Sequence, residues 1–543
     1  MPALTRFRCA RIPYLHIFAV SVTFATLPIP KIHVLIYAIV NIFLYTEELL
    51  WLFQDPAEPA LIPHPYLPFV GHVIGMFWYG ASYFERVHSQ CGYPIFTLQT
   101  MNKRTIVVIS PQLAEKIQKK SKDLSFYGMI LEVTKRLVDF DEASMATIRY
   151  NIDGERGTDE GLMNESHAMV ASVLSPGPVL NSLSTTQLFK FSELLDEACP
   201  DGKPLSISLM DFVKNAFTTA NAHTIYGPKN PFALYPDLVR AFWIYEAGMI
   251  SVMADILPWL TARRPWLARR AINNALQEFI EKEYYRAASP LIQKRVAINL
   301  KHGLTTKMAG RAELILLFGI IGNAVPTTFW ILANVFARPD LLRRLREEMA
   351  TAVLCAYNPA TGKKQNSISV EALKTRCPLL VSTYKESLRM IGNLASVRLV
   401  TGTHTITAPG HAPVLLKKGS MIQIASGVIH VSEAVWGADA KEFKPERFIS
   451  SATTSEHAAY RAFGGGSVIC PGRHFAQSEI LGFVALCFNM FDVVDRETDN
   501  VIAVPERDNG RIPLSVMKPV KEPHVIIKRR SGEEDVLWQL ELQ

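Results

Sequence analysis

Cys470 stands in the stretch AFGGGSVICPGRHFA, with glycines at 464, 465, 466 and 472 and a proline at 471. So little bulk lets the backbone approach a flat object without side-chain clash, and Pro471-Gly472 turns the chain into the apolar run FAQSEILGFVALCFNMF. The cysteine then falls near a helix N-terminus, where the dipole and exposed amides stabilise a thiolate, the form that binds metal. A catalytic nucleophile would want a His partner, and a buried free cysteine would need no glycines. An axial thiolate on a haem iron accounts for more of the loop than either. The chain's seven cysteines are odd in number, widely spaced and without a CxxC pair, which indicates no zinc-type site and points to a reducing compartment.

Three further groups of residues could serve such a centre. In LVSTYKESLRM, Glu386 and Arg389 stand three apart on one helical face, which by itself reads as a solvated salt bridge. Arg447 lies in EFKPERF, 23 residues before Cys470, where a proline and flanking aromatics suit an extended, well-packed loop. Leu314 to Ala337 carries no charge across 24 residues, enough to span a membrane. Asn323, Pro326, Thr327 and Thr328 at its centre are costly in lipid but useful beside a buried cofactor, so a core helix with a polar notch is expected. Pro326 cannot donate to the Gly322 carbonyl, and a kink or opening is expected there.

Phe463, Gly466, Cys470 and Gly472 in FGGGSVICPG match the haem-binding signature of the cytochrome P-450 superfamily, which the chain resembles over nearly its whole length. Glu386 and Arg389 are similar to its ExxR helix, and Arg447 in PERF to the third member of its ion triad. The resemblance implies haem b with Cys470 as proximal ligand to the iron, a buried structural triad, and a mainly α prism with small β-sheets. It also implies that Arg398, in ASVRLV, reaches a haem propionate. Departures sharpen the likeness: Gly322 and Asn323 occupy the positions of the usual acid and threonine. The GNAVPTTFW pattern is similar to the branch of sterol 7α- and 12α-hydroxylases and prostacyclin synthase. Position 468, often arginine, is Val468, and no WxxxR occurs where the third large helix is expected; His167 is a weak substitute.

The elements that must hold these residues follow from the rest of the chain. The fold class expected is mainly α with small β-sheets (α+β), preceded by a membrane anchor. Residues 1–53 read as one or two membrane spans, since Ile12–Pro30 and His33–Tyr45 are apolar and no small-x-small cleavage site is evident. Arg6, Arg8 and Arg11 favour a cytosolic N-terminus, and a two-span hairpin would return the main domain to the cytosol. Residues 54–75, with five closely spaced prolines, read as a stiff extended connector. Residues 76–543 are the catalytic domain, with a strand at RTIVVIS, a helix at TTQLFKFSELLDEA and a strand hairpin in PVLLKKGSMIQIAS turning at Lys417–Gly419. The aromatic segment 231–271 is expected either to pack into the core or to present a surface that meets lipid or gates an apolar pocket.

A composition 49% hydrophobic with a net charge of +7 excludes a disordered or nucleic-acid-coating chain. The expected activity is monooxygenation: one atom of O2 enters a bulky apolar substrate, terpenoid or steroid-like, with electrons from NADPH through a membrane-bound reductase. Asn323 would hold a water beside the distal oxygen, and Thr327, one turn along, would complete a proton path. Arg473 and neighbouring basic groups would meet the reductase. The expected location is the endoplasmic reticulum membrane, catalytic domain facing the cytosol. Two alternatives remain open: a haem-thiolate isomerase or dehydratase acting on a peroxide without reductant, and a haem-bearing carrier without turnover.

Overall fold

The computed structural model describes residues 54–543 except 65–66, 68, 101–102, 121–122, 154–159, 358–361, 363, 394, 451–452 and 511–515. The anchor expected over 1–53 lies outside the described residues. In chain order, the helices that position the site are α1 (Gly71–Tyr79), α2 (Pro111–Lys119), α3 (Leu162–Val173), α4 (Pro178–Asp196) and α5 (Leu209–Tyr226). They continue with α6 (Asp237–Ala247), α7 (Arg263–Glu281), α8 (Thr306–Phe336), α9 (Pro378–Ile391) and α10 (Arg473–Met490).

The apolar run at the centre of the chain becomes α8, capped by Thr305, whose hydroxyl accepts the Met308 N–H at 3.3 Å. A helix apolar all round must be covered on every side. It packs against α5, α7, α9 and α10, and although long and apolar enough to cross a membrane, it has 67% of its most apolar window buried. The helix runs through Pro326 as one element, where a kink or opening was expected. There the Thr327 and Thr328 hydroxyls donate to the carbonyls of Asn323 at 2.8 Å and Ala324 at 2.9 Å, fastening the turn that the proline weakens.

Fourteen strands are described: β1 (Leu61–Ile62), β2 (Ile95–Thr100), β3 (Lys103–Val108), β4 (Leu124–Ser125), β5 (Leu205–Ser208), β6 (Val353–Tyr357) and β7 (Lys364–Ser369). The rest are β8 (Ala395–Val400), β9 (His404–Ile406), β10 (Val414–Leu416), β11 (Met421–Ala425), β12 (Phe491–Asp495), β13 (His524–Arg529) and β14 (Leu537–Glu541). They form one six-stranded sheet, β1-β2-β3-β11-β8-β4, and three small ones: β10-β9, β12-β13-β5 and β14-β7-β6. The strand expected at RTIVVIS is β3, and the helix expected at TTQLFKFSELLDEA is α4, which starts earlier at Pro178. The hairpin expected over 413–426 is corrected. Both strands and the turn exist, but β10 pairs with β9, while β11 is flanked by β3 and β8. With both edges taken, β11 has no backbone left for β10.

The segment 54–75 contains β1, which pairs parallel to β2, and the start of α1. The Gln54 side chain bonds to the backbone of Pro59 and Leu61. In the aromatic segment Phe242, Trp243, Tyr245 and Met249 are buried, as core packing requires, whereas Ile256, Leu257, Trp259 and Leu260 are exposed.

Candidate active site

The site is braced from below by charges. Glu386 and Arg389 share one face of α9 and both side chains are fully buried. Arg389 grips the carboxylate with Nε and Nη2, each at 2.7 Å, and its Nη1 donates to the carbonyls of His430 at 2.5 Å and Ala440 at 2.6 Å. Arg447 adds its Nε to Glu386 Oε1 at 3.2 Å. Two buried guanidinium groups on one carboxylate would leave net charge in the core; Asp439 balances it, accepting from Arg447 Nη1 at 2.9 Å. Hydrogen bonds from Lys444 and Arg447 hold Asp439 down at about 2. The pair is therefore a buried strut rather than a solvated bridge. The loop bearing Arg447 is a series of turns rather than extended: its N–H donates to the Lys444 carbonyl, while the Lys444 N–H donates to Glu386.

The cysteine loop folds back on itself above that strut. The Cys470 N–H donates to the Phe463 carbonyl at 3.0 Å, and α10 starts three residues on at Arg473, whose guanidinium donates to the Cys470 carbonyl at 3.1 Å. The helix start pulls on its thiol in the direction expected, and burial opposes it. Burial pushes the thiol up from its ordinary value, against the lowering pull of the Gly472 and Arg473 N–H groups and the Arg473 charge. The glycines also have a neighbour that the loop chemistry did not indicate. Gly464 and Gly466 have φ of +75° and +67°, and a Cβ at Gly466 would overlap the Gln118 carbonyl at the end of α2. Arg461, buried below the loop, pairs with Gln118 Oε1 and donates to the Pro111 carbonyl.

On the distal side, Asn323 is half-buried on α8 and its Oδ1 accepts the Val516 N–H at 3.1 Å, which leaves Nδ2 as the atom able to hold a water. Thr327 is buried, and its hydroxyl already donates to the Asn323 carbonyl. At Gly322 a Cβ would come within 3.1 Å of the Phe318 ring, so the side chain of an acid would press on that ring.

Whether the residues fit a haem is tested by the polar groups left without partners. Arg398 on β8 is 2% exposed, its Nη1 donates to Ser396 and Val397, and its Nη2 is buried with no partner among the described residues. Its guanidinium lies over Phe126, and burial lowers it to about 10. A buried cation with an unused donor, and no carboxylate paired with it among the described residues, suits a propionate. Together with the Cys470 thiol and the low-bulk loop, the residues fit an iron porphyrin. Val468 is half-buried and contributes no charge. His167 on α3 is half-buried with its ring edge-on to Tyr127, 6.4 Å between centroids.

Sequence reasoning missed Asp439, Arg461 with Gln118, the Val516 contact and Glu479. Except for Asp439, whose partner Arg447 is eight residues on, each gains its partner from a distant part of the chain and so carries no local signal; Gln118 and Arg461, for example, are 343 residues apart.

Comparison with known proteins gives a consistent picture. A family model described as Cytochrome P450 matches residues 253–521. A cytochrome P450 monooxygenase, nodJ, of Hypoxylon pulicicidum is 30% identical over 89% of this chain and 92% of its own length. The 5-beta-cholestane-3-alpha,7-alpha-diol 12-alpha-hydroxylase of Sus scrofa is 25% identical over 93% of this chain and 99% of its own. Among solved structures, the retinoic acid bound cyanobacterial CYP120A1 shares the fold with a TM-score of 0.64 at 17% identity, covering 88% of this chain and 100% of that one.

Proposed function

The chain belongs to the cytochrome P450 family and is a monooxygenase, and we propose that it inserts one oxygen atom of O2 into a bulky hydrophobic substrate, a terpenoid or steroid-like skeleton, using NADPH electrons passed through a reductase. The observation that carries the substrate class is the end-to-end similarity to a cholestane hydroxylase, together with the exposed apolar residues Ile256, Leu257, Trp259 and Leu260 between α6 and α7. The family implies a haem held by thiolate.

When bound, the haem supplies O2 activation, and the thiolate's electron donation favours O–O cleavage. The residues of this chain do the rest. Cys470 would supply the thiolate that holds the iron, on a loop packed against α2 and Arg461. Arg398, through its buried Nη2, would hold a propionate. Glu386, Arg389 and Arg447 keep the loop's supporting segments in register, and Phe463 and Gly472 flank the ligand. Asn323 Nδ2 would hold a water for proton delivery, and Thr327 would offer lone pairs to it, its own proton being committed to the Asn323 carbonyl.

We place the protein in the endoplasmic reticulum membrane with this domain on the cytosolic side, a reading supported by the apolar runs Ile12–Pro30 and His33–Tyr45 in the sequence and by the exposed apolar side chains of Phe77, Trp78, Ile256, Leu257, Trp259 and Leu260. Arg473, at the start of α10, offers positive charge to an acidic reductase surface. The test is turnover in yeast microsomes under isotopically labelled O2, with terpenoids, steroids and lipid hydroperoxides as candidate substrates. Label in a product hydroxyl, dependent on NADPH and reductase and lost in Cys470→Ser, is the expected result. Rearranged hydroperoxides formed without NADPH or label would overturn it in favour of an isomerase.

A further inference from the structure

Three consecutive residues near the C-terminus, Val516, Met517 and Lys518, are each fastened to a different part of the distal side. The Val516 N–H donates to Asn323 Oδ1 at 3.1 Å. The Met517 carbonyl accepts from Trp330 Nε1 at 2.7 Å, and the Met517 N–H donates to the carbonyl of Ile391, the last residue of α9, at 3.2 Å. Lys518 Nζ forms an ion pair with Glu246, one residue before the end of α6. Asn323 and Trp330 are seven residues apart on α8, two turns along one face, so the segment lies along the face that carries Asn323.

The ion pair is the link with the most at stake. The Glu246 side chain is 7% exposed and that of Lys518 24%, so the carboxylate is nearly out of water and the ammonium is the partner that takes the place of solvent. Met517 and Val516 are buried as well, so the segment is held by packing and by its hydrogen bonds to α8. Helix α6 lies within the aromatic segment, whose exposed apolar residues support the bulky apolar substrate class of the function proposed above. A displacement of α6 therefore reaches Asn323 through an unbroken chain: Glu246 carboxylate, Lys518 ammonium, the backbone from 518 to 516, the Val516 N–H, and the Asn323 amide.

We propose that Lys518 is a positioning residue that couples helix α6 to Asn323. With the ion pair made, the Val516 N–H holds Asn323 Oδ1 and fixes the direction of Nδ2. A substrate bulky enough to move α6 loosens that hold, so the orientation of the Asn323 amide reports whether the access side is filled. The inference rests on the reading of Asn323 as the water-holding group, and the experiment separates the two.

The full-length haem-loaded protein is compared with Lys518→Met, Lys518→Arg, Glu246→Gln and the charge-swapped pair Glu246→Lys with Lys518→Glu. Hydrogen exchange of the peptide covering 516–518 is the first readout. The Met and Gln variants are expected to exchange about tenfold faster there, with Arg close to wild type and the swap restoring protection. The second readout is the share of NADPH electrons lost to hydrogen peroxide during turnover, expected to rise in Lys518→Met and Asn323→Ala without adding in the double variant. Glu246→Gln, close in shape to the native residue, serves should Lys518→Met fail to retain haem. Unchanged exchange at 516–518 in either variant overturns the coupling, as does a peroxide share that moves in Asn323→Ala but not in Lys518→Met. Faster exchange with a peroxide share that moves in neither variant supports the coupling and overturns the reading of Asn323 instead.

Discussion

Glu479 lies on α10 nine residues past Cys470 and is 1% exposed, with Gln187 Nε2 at 2.6 Å and Asn221 Nδ2 at 3.1 Å both donating to its Oε2. No ion pair to it is found among the described residues, and burial raises its pKa from 4.5 to about 8, against the two hydrogen bonds. The folded protein thus keeps a proton there at neutral pH that the unfolded chain has lost. A raised folded pKa means stability fully present below about pH 4.5 and lost as the pH rises through about 8, at roughly 1.4 kcal/mol per unit between them. Glu479→Gln preserves the acceptor and removes the titration. Thermal midpoints measured from pH 5 to 8.5 are expected to fall more steeply for the native chain than for the variant; parallel curves would show that Glu479 is charged in the fold. In sequence this glutamate reads as one more polar residue on a helix, because its burial is created by Gln187, 292 residues away. Cys470, Glu386 and Arg389 were legible because their chemistry is written in neighbouring residues. The orientation of Asn323 was not, since its partner is a backbone N–H at 516.

At the scale of elements, the cysteine loop and α2 make one unit, and its glycines are not equivalent. Gly464 and Gly466 both have positive φ, yet a Cβ at 464 would have only the Val468 carbonyl oxygen, at 4.0 Å, while one at 466 would overlap the backbone of Gln118. Gly464→Ala is therefore expected to cost only the conformational penalty, about 1 kcal/mol, because L-residues tolerate the left-handed region at that price. Gly466→Ala must also push α2 off the loop. Its expected signature is a larger loss of thermal stability together with loss of bound haem, read by the carbon monoxide difference spectrum; equal effects of the two substitutions would refute the packing argument. Long apolar runs told most about elements: α8 and α10 were legible because helices apolar all round must be interior. Pairing was less so. The turn at Lys417–Gly419 was visible, but nothing in 413–426 shows that β3, more than 300 residues earlier, claims one edge of β11.

At the scale of the molecule, the motifs identified the architecture but left the last fourteen residues without a role, since a short alternating strand has no meaning until its partner is known. That partner is β7, to which β14 pairs in parallel, extending β7-β6 into a three-stranded sheet. The tail is built into the helices around the cysteine. Val536, Trp538 and Leu540 are buried, the Leu540 N–H donates to Ser192 on α4 at 2.9 Å, and the Glu371 N–H donates to the Leu542 carbonyl at 3.1 Å. On α10, Gly482 admits the close approach, since a Cβ there would stand 3.1 Å from Leu540 Cδ1. The C-terminus thus packs against the same helix that begins behind Cys470, and α4 and α10 share it as a cover. Trp538→Ala should cost about 3–5 kcal/mol, the usual price of emptying a large buried aromatic site. Truncation after Arg530 removes the whole strand and uncovers Leu188 and Val370, the other neighbours of Gly482, so its unfolding midpoint should fall below that of Trp538→Ala. If the tail is integral to the core, near-ultraviolet circular dichroism and the carbon monoxide band will be lost together at the lowered temperature. A truncated protein that melts with the native midpoint would show instead that β14 is an appendage and that α4 and α10 need no cover.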